Sequence, residues 1–327
     1  MVSHATTALA HTGATHDQRR RFARYAWGLL GYTLFVILFG AGVRITGSGA
    51  GCGQHWPSCN GELLHVPKTL ATVIELTHRL TSGLSVLGVV ALLSGAFALY
   101  PSRHVVRKAA LLTLVMIIVE ALIGALLVLM RWVVDDASFG RTLALPLHLL
   151  STALLTAVLT WCAYFAAVPS REAPAPPLPS AARALILLAA LGILVVSATG
   201  AITALGDTVY PVKAAGLAAR LREDQGAGAH LLQRMRGVHP FLAVAVAAFI
   251  AYTAALIPGY RPSPRVKRAS LVLGACVLLQ VLAGTLNIWL SAPGPLQVVH
   301  LLLANLTWIS LILLAAATRR SESSTPA

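Results

Sequence analysis

Charged residues are scarce in this sequence. Asp, Glu, Lys and Arg together make up 11% of its 327 residues, whereas an ordinary soluble domain has roughly a quarter, so the composition excludes a soluble globular protein. The short segments of alternating polar and apolar residues that a transmembrane β-barrel requires are also absent. What is present instead is a hydrophobic fraction of 57%. The sequence therefore predicts an all-α integral membrane protein.

Long apolar runs divide the chain. Runs of about 18 or more apolar residues span a bilayer as helices, and the sequence contains eight of them. Their approximate limits are 25–43, 69–100, 109–130, 143–168, 184–205, 238–257, 269–290 and 296–317. A polar tail, 1–24, precedes the first run, a Pro-rich segment at 169–180 separates the fourth run from the fifth, and a second tail, 318–327, follows the eighth. We expect the first tail not to be a signal peptide, because residues 1–18 contain no hydrophobic signal segment.

The basic residues indicate how the runs are oriented. The formal net charge is +14, but 15 of the 25 Lys and Arg residues lie on one side of the membrane. These are Arg19, Arg20, Arg21, Arg24, Arg103, Arg107, Lys108, Arg171, Arg183, Arg261, Arg265, Lys267, Arg268, Arg319 and Arg320. Lys and Arg collect in cytoplasmic loops, so we predict that both termini are cytoplasmic and that the first loop is external. Membrane topology explains the basicity, and no binding to nucleic acid is expected.

Four histidines recur at matched positions of the two halves. His78 and His148 precede His239 and His300 by 161 and 152 residues, and each lies near the start of an even-numbered run. Histidine within a membrane helix is costly and rare, so it indicates a functional site. One histidine from each of two facing helices of a bundle is the arrangement that holds a haem iron from both sides. Hydrogen bonds between helices are the alternative, whereas a zinc site more often spaces its ligands three or four residues apart.

Other motifs repeat together with the histidines. The first run ends GAGVRITGSG and the fifth ends SATGAITALG. The third run contains VEALIGALLVLM and the seventh contains LQVLAGTLNIWL, which places Glu120 opposite Gln280. Since each half has four runs, the repeats have the same orientation. We predict two pseudo-symmetric four-helix bundles, 25–168 and 181–317. The uncharged counterpart of Glu120 favours a packing role for this residue, and a functional role for an acid within the membrane is the alternative.

One position near the histidines differs between the halves. Glu75 stands three residues before His78, and Arg236 stands at the equivalent place in the second half. Glu75 shares a helix face with His78, where its carboxylate could hold a proton or stabilise a positive charge. An acid that stabilises the helix N-terminus is the alternative. Arg79 is a candidate for pairing with an acid or with a haem propionate, and Arg44 is a second candidate for binding a propionate or else an interface residue.

Cys52 and Cys59 lie in the first external loop. Disulfides persist outside the cytosol, and this Gly-rich loop supplies the turns that would bring the two residues together. The bridge is either a structural staple or a redox couple, and an exposed, strained bridge would favour the redox couple. Cys162 and Cys276 lie in the fourth and seventh runs and are expected to be inert.

The run GAGVRITGSGAGCGQHWPSCNG, followed by ELTHRLTSG, resembles the haem A synthase family, and the likeness extends over all eight runs. Members of that family oxidise the methyl group on ring D of haem O to a formyl group, which gives haem A for cytochrome oxidase. The resemblance implies that His78 and His148 flank haem O as the substrate. It also implies that His239 and His300 hold a haem b cofactor.

The same resemblance assigns further roles. It makes Glu75 the acidic residue beside the substrate and makes Cys52 and Cys59 an external redox pair, so these three are the predicted catalytic residues. The predicted haem-binding residues are His78, His148, His239, His300, Arg44 and Arg79. The expected partners besides the lipid bilayer are haem O synthase and an electron acceptor, either a quinone or a thiol-redox protein. Glu120 departs from the family, because a Gln is expected there.

Two other functions fit part of the pattern. A dihaem b-type cytochrome that only transfers electrons would also need four paired histidines, but it would more naturally place its haems toward both faces of the membrane. A quinone-linked thiol oxidoreductase would explain Cys52 and Cys59 and would leave His239 and His300 without a task.

Overall fold

The computed structural model describes residues 15–134, 136–168, 174–211 and 217–320. Within these ranges it contains ten α-helices and no β-strand, apart from isolated bridges such as the one between Cys59 and Glu62. The helices are α1 (His16–Ile45), α2 (Leu70–Leu99), α3 (Val105–Leu129), α4 (Phe139–Ala167), α5 (Ser180–Val209), α6 (Leu217–Gln225), α7 (Leu231–Met235), α8 (Val238–Tyr260), α9 (Pro264–Trp289) and α10 (Gly294–Ala317).

Eight helical segments in the described ranges are long and apolar enough to cross a membrane. Seven are the helices α1 to α5, α9 and α10, and the eighth, Leu231–Tyr260, joins α7 to α8. Their mean hydropathy lies between 1.8 and 2.8. The prediction of an all-α membrane protein with eight spanning helices is therefore confirmed.

The first helix begins earlier than its apolar run predicts. Thr15 caps α1, because its hydroxyl accepts a hydrogen bond from the Gln18 N–H at 3.2 Å and the Gln18 side chain accepts one from the Thr15 N–H at 2.8 Å. This reciprocal pair satisfies N–H groups that the start of a helix leaves unpaired. An ion pair of 2.8 Å between Asp17 and Arg21 adds a contact one turn on. Capping thus extends α1 through a polar segment that hydropathy does not mark as helical.

The helices of each half pack against one another. In the first half α1 contacts α2 and α4, and α3 contacts the same two helices. In the second half α8 contacts α5 and α9, and α10 contacts the same two helices. Across the halves α4 packs against α5 and α10, where the Trp308 indole N–H donates to the Ala153 carbonyl at 2.7 Å. The pseudo-symmetric relation of the two halves stays a prediction.

One buried guanidinium joins the end of α5 to α6 and to the segment before α8. Arg236, which is 6% exposed, forms ion pairs of 3.0 Å with Asp207 and 2.8 Å with Asp224. It also donates to the Gly206 carbonyl at 2.7 Å and to the Tyr210 carbonyl. Charge-assisted hydrogen bonds of this kind are among the strong ones. They tie α6 and the end of α5 to the start of α8.

The predicted connecting segments are described only in part. Residues 169–173 of the Pro-rich segment and the terminal residues 1–14 and 321–327 lie outside the described residues. After the gap, the Ala175 N–H donates to the Arg319 carbonyl at 3.0 Å, which brings the linker to the end of α10. The predicted domain limits stay a prediction.

Candidate functional site

The structure brings together the two predicted histidines of each half. His78 on α2 and His148 on α4 lie within the range of an electrostatic interaction between side chains, and so do His239 on α8 and His300 on α10. The two histidines of each pair lie on two different helices of the same half. The role of the pairs as haem ligands stays a prediction.

Each of the four imidazoles lies against a glycine on a neighbouring helix of its half. The pairs, with the distance from a Cβ atom built on the glycine to the imidazole Cε1 atom, are Gly40 with His78 (3.1 Å), Gly124 with His148 (3.7 Å), Gly200 with His239 (3.0 Å) and Gly284 with His300 (3.0 Å). At three of the four positions a side chain would press against the ring. Glycine allows a close approach to the backbone, so these positions leave room for the imidazole rings themselves between neighbouring helices.

The sequence motifs did not single out these glycines. Their signal is the spacing, because Gly40 precedes Gly200 and Gly124 precedes Gly284 by the same 160 residues. Glycine is more frequent in membrane helices than in soluble ones, which makes any single one uninformative. The distances to the histidines identify them as parts of the site.

The ring nitrogens of the histidines have different surroundings. The Nδ1 atoms of His78, His148 and His300 are buried and make no hydrogen bond to the described residues, and that of His148 lies 3.3 Å from the Glu120 carboxylate. The Nδ1 atom of His239 lies 3.1 Å from the Thr199 hydroxyl. A buried polar atom without a partner costs about 1–3 kcal/mol, and binding a metal through a ring nitrogen is a common role of neutral imidazole. The donor set and the adjacent glycines therefore fit a haem iron in each half.

Glu75 is buried at the junction of α2 and the loop between α1 and α2. It is 3% exposed, and its Oε2 atom accepts a hydrogen bond from the Cys52 N–H at 2.8 Å. Its Oε1 atom pairs with the Arg79 guanidinium, at 3.1 Å from Nε. The Nη1 atom of Arg79 in turn donates to the carbonyls of His55 and Ser58 at 2.6 and 2.7 Å. The Glu75–Arg79 pair thus holds the loop from both ends of the cysteine motif.

Another residue performs the helix-capping role that was the alternative for Glu75. Thr69 is the N-cap of α2, and its hydroxyl accepts from the Thr72 N–H at 3.2 Å. The first turn of α2 contains no acidic residue. Thr72 also anchors the loop, because its hydroxyl donates to the Gly51 carbonyl at 2.8 Å. Glu75 therefore lies beyond the helix start, facing the loop.

Cys52 and Cys59 form the predicted disulfide. Their Cα atoms are 4.4 Å apart, and the residues are 0% and 1% exposed. The bridge is therefore not the exposed one that would favour a redox couple. A cavity of about 640 Å³ adjoins it, lined by Gly51 and Asn60, which are the direct neighbours of the two cysteines, and by residues that include Lys68.

Arg44 reaches from the first half into the second. Its Nη1 atom donates to the Ala204 carbonyl at 2.9 Å and to the Thr208 hydroxyl at 2.5 Å. Its Nη2 atom donates to the Gln297 side chain at 2.7 Å. Ala204 follows Gly200 by one helical turn on α5. The guanidinium therefore lies just outside the second histidine pair and joins the two halves.

Glu120 is linked to His148. Its Oε1 atom lies 3.3 Å from the His148 Nδ1 atom, and the carboxylate accepts hydrogen bonds from the hydroxyls of Ser151 and Thr152. Its counterpart Gln280 has its Nε2 atom 3.3 Å from the His300 Nε2 atom. The two positions that the repeat aligns therefore both contact a histidine, which the expected packing role did not include.

Known proteins are similar to this chain over most of its length. A family described as cytochrome oxidase assembly protein matches residues 23–312. Proteins named protoheme IX farnesyltransferase from two strains of Thermus thermophilus are each 41% identical over 298 residues, which cover 91% of this chain and 48% of theirs. The chain thus spans about half the length of these relatives. The heme A synthase of Bacillus cereus strain AH187 is 42% identical over 92 residues, which cover 28% of this chain and 30% of that protein.

The family match takes in every spanning helix, the cysteine loop and all four paired histidines, with its last matched residue inside α10. This multi-pass membrane protein therefore belongs to the cytochrome oxidase assembly protein family.

Proposed function

We propose that the protein is a haem A synthase, which oxidises the ring D methyl group of haem O to a formyl group and so supplies haem A for cytochrome oxidase. The observation that carries the proposal is the site of the first half. There His78 and His148 approach each other beside two glycines, and the buried carboxylate of Glu75 lies one helical turn from His78 beneath the disulfide loop. The family match and the similarity to a heme A synthase support the same activity.

The second half would hold haem b between His239 and His300. The glycines beside both rings and the unpaired Nδ1 atom of His300 support this assignment. A haem bound there supplies one-electron transfer. Arg44 would contribute a positive charge at the outer end of this site, near Gln297. With His78 and His148 in the first half, the arrangement corresponds to two pseudo-symmetric bundles, 25–168 and 181–317.

The overall chemistry defines what the protein must provide. Conversion of a methyl to a formyl group takes two successive two-electron oxidations, and water is the simplest source of the added oxygen. Four electrons and four protons leave the substrate for each formyl group, so an acceptor is required. A quinone or a thiol-redox protein would fill that role. The loop that holds Cys52 and Cys59 lies over Glu75, which supports a role for the bridge in passing electrons from the proposed substrate site.

Glu75 would act as a fixed anion beside the substrate. Loss of electrons from the ring D methyl group builds positive charge on the methyl carbon. A preorganised carboxylate stabilises such a charge strongly where water is excluded. The hydrogen bond from the Cys52 N–H and the contact with Arg79 hold the carboxylate in one orientation. Arg79 is engaged with Glu75 and with the loop carbonyls, so its predicted part in binding a propionate would require it to exchange a partner.

The substrate and the topology have separate support. The Thermus relatives carry the name protoheme IX farnesyltransferase and are about twice as long as the matched segment. Farnesylation of protohaem is the reaction that yields haem O, so haem O synthase is the partner we propose upstream.

The basic segments support cytoplasmic termini and an external cysteine loop.

Expression of the full chain in a host that makes haem O but no haem A tests the function directly. Haem A is expected in the extracted pigments, together with haem b, when the haems are separated by chromatography. The inactive control is His78→Ala, with its amount in the membrane matched by immunoblot. Haems O and b without haem A, from a chain present in the membrane at normal level, would disprove the proposal, and haem b alone would favour the dihaem cytochrome.

The cysteines are expected to act as one unit. Cys52→Ser and Cys59→Ser should lower haem A formation to a similar extent, and the double variant should be no worse than either single one, because residues that function together give non-additive losses. Haem A per unit of membrane protein is the measurement. Cys276→Ser is the control, since Cys276 lies on α9 and contacts only the Ser310 hydroxyl at 3.6 Å among its polar neighbours. Additive losses would argue against a redox pair, and loss of the protein from the membrane would indicate a structural staple.

A further inference from the structure

The carboxylate of Glu120 lies within the membrane-spanning part of the first half. An acid in a membrane helix is costly and by default indicates a function. Glu120 lies against the hydroxyls of Ser151 and Thr152, and its Oε1 atom is 3.3 Å from the His148 Nδ1 atom, a contact that does not have the geometry of a hydrogen bond in this structure. An ionised carboxyl group only accepts hydrogen bonds and has room for several. The surroundings therefore match a carboxylate that is bound to one side of an imidazole.

The same two hydroxyls also lie near the backbone of α4, and because each has one proton, it donates either to Glu120 or to the His148 carbonyl. Both the Ser151 and the Thr152 oxygen lie 2.9 Å from the His148 carbonyl. The carboxylate, the two hydroxyls and His148 thus form one cluster. It contacts the His148 ring on one side through Glu120 and the His148 backbone carbonyl through the two hydroxyls.

The second half lacks the carboxylate and the two hydroxyls of this cluster. Gln280 stands in place of Glu120, and its Nε2 atom lies 3.3 Å from the Nε2 atom of His300, whereas Glu120 faces the Nδ1 atom of His148. The residues three and four positions after His300 are Leu303 and Ala304, where His148 is followed by Ser151 and Thr152. Three positions therefore change together, from a carboxylate with two hydroxyls to a neutral amide with two apolar side chains. A packing residue would not need its two donors to change with it.

We propose that Glu120 is a positioning residue for His148. Its carboxylate accepts the hydrogen bond of the His148 Nδ1–H group, which leaves Nε2 as the nitrogen available to the iron of the substrate haem. This inference rests on the proposed function, because it takes His148 as a ligand of haem O.

Such a carboxylate changes the chemistry of the ligand. A carboxylate on the far nitrogen fixes the tautomer and the orientation of a ligating imidazole and raises its basicity. A more basic ligand favours the oxidised iron, so it lowers the reduction potential of a haem in the first half. The neutral Gln280 leaves the second half without this effect. The difference directs electrons from the first half toward the second, which is the direction that oxidation of a substrate in the first half requires.

The test exchanges the two groups in the full-length protein, purified from a host that makes haems B and O. Glu120→Gln gives the first half the amide of the second, and Gln280→Glu does the reverse. Reduction potentials are measured by spectroelectrochemical titration, and the two waves are assigned by their loss in His78→Ala and His239→Ala. We expect Glu120→Gln to raise the first-half potential alone, Gln280→Glu to lower the second-half potential alone, and Glu120→Asp to stay near the wild type. Haem A formation by Glu120→Gln should fall about tenfold or more.

Each result supports or overturns the inference. An unchanged first-half potential in a Glu120→Gln protein that keeps both haems would reduce Glu120 to a packing residue. If Glu120→Gln does not accumulate, the potential of Gln280→Glu decides, and no fall there overturns the inference. A wild type without a first-half wave overturns it as well. If the wild type makes no haem A but Glu120→Gln still shifts the potential, the proposed synthase function fails and the role of Glu120 stands.

Discussion

Replacement of His239 or His300 with alanine is expected to remove haem b from the purified protein completely. Each residue would supply one of two axial bonds to the iron, and the two rings approach each other closely enough for their charges to interact. With one ligand gone, the remaining histidine and its glycine cannot enclose the group from both sides. The absorption spectrum of the reduced protein and the haem content per polypeptide measure the loss.

The first half should keep its pigment in both variants, because His78 and His148 are untouched. His104→Ala is the matched control: it removes a histidine that caps α3, where its Nδ1 atom accepts from the Val106 N–H at 3.2 Å. Loss of a cap costs about 1 kcal/mol of stability and should leave the haem content unchanged. A six-coordinate b-type spectrum that survives in both His239→Ala and His300→Ala would show that this half does not bind haem through these residues.

The spanning helices could be predicted from the sequence because each one satisfies its backbone hydrogen bonds within its own segment. A run of apolar residues suffices to identify such a helix, and all eight predicted runs lie on described helical segments. The ends of the helices depend on polar contacts instead. The start of α1 is set by the capping pair of Thr15 and Gln18, and α6 is held by Arg236 through Asp224. Hydropathy contains no information about either.

The site could be predicted where one residue alone is unusual for a membrane. His78 and Glu75 stand out in this way, since both are polar groups in apolar surroundings. Arg44 also stands out, but its partners Ala204 and Gln297 are 160 and 253 residues away, so its position beside the second histidine pair depends on how the halves pack. Contacts between distant segments are what the sequence could not supply.

Glu120 shows a second limit of sequence reasoning. The uncharged counterpart Gln280 favours a packing role for Glu120 when the sequence alone is considered. The structure places each against a histidine, so the difference in charge distinguishes the two sites. A comparison of repeats identifies equivalent positions, but the meaning of a difference depends on what the side chain contacts.

Replacement of Glu75 with glutamine is expected to abolish haem A formation, or to stall it at a partly oxidised haem, while haem b in the second half is retained. Glutamine has nearly the same size, and its amide oxygen can still accept the hydrogen bond of the Cys52 N–H, which is now 2.8 Å from Oε2. The substitution therefore removes the negative charge with little change in shape. If that charge stabilises the positive charge that builds on the substrate, a loss of about 10²–10³ in rate is the usual size for such a group.

Glu75 also anchors the disulfide loop, so the loss of charge must be separated from the loss of the anchor. Thr72→Val is the matched control: it removes the hydrogen bond from the Thr72 hydroxyl to the Gly51 carbonyl, beside Cys52, and leaves the carboxylate in place. We expect Thr72→Val to keep most of the haem A formation and Glu75→Gln to accumulate haem O, as measured by chromatography of extracted haems. Alkylation of cysteines under non-reducing conditions reports whether the bridge survives in each variant. Wild-type yields of haem A from Glu75→Gln would end its catalytic role. Equal losses in both variants would make Glu75 an anchor of the loop, because the two substitutions share only the contact between α2 and the segment around Cys52.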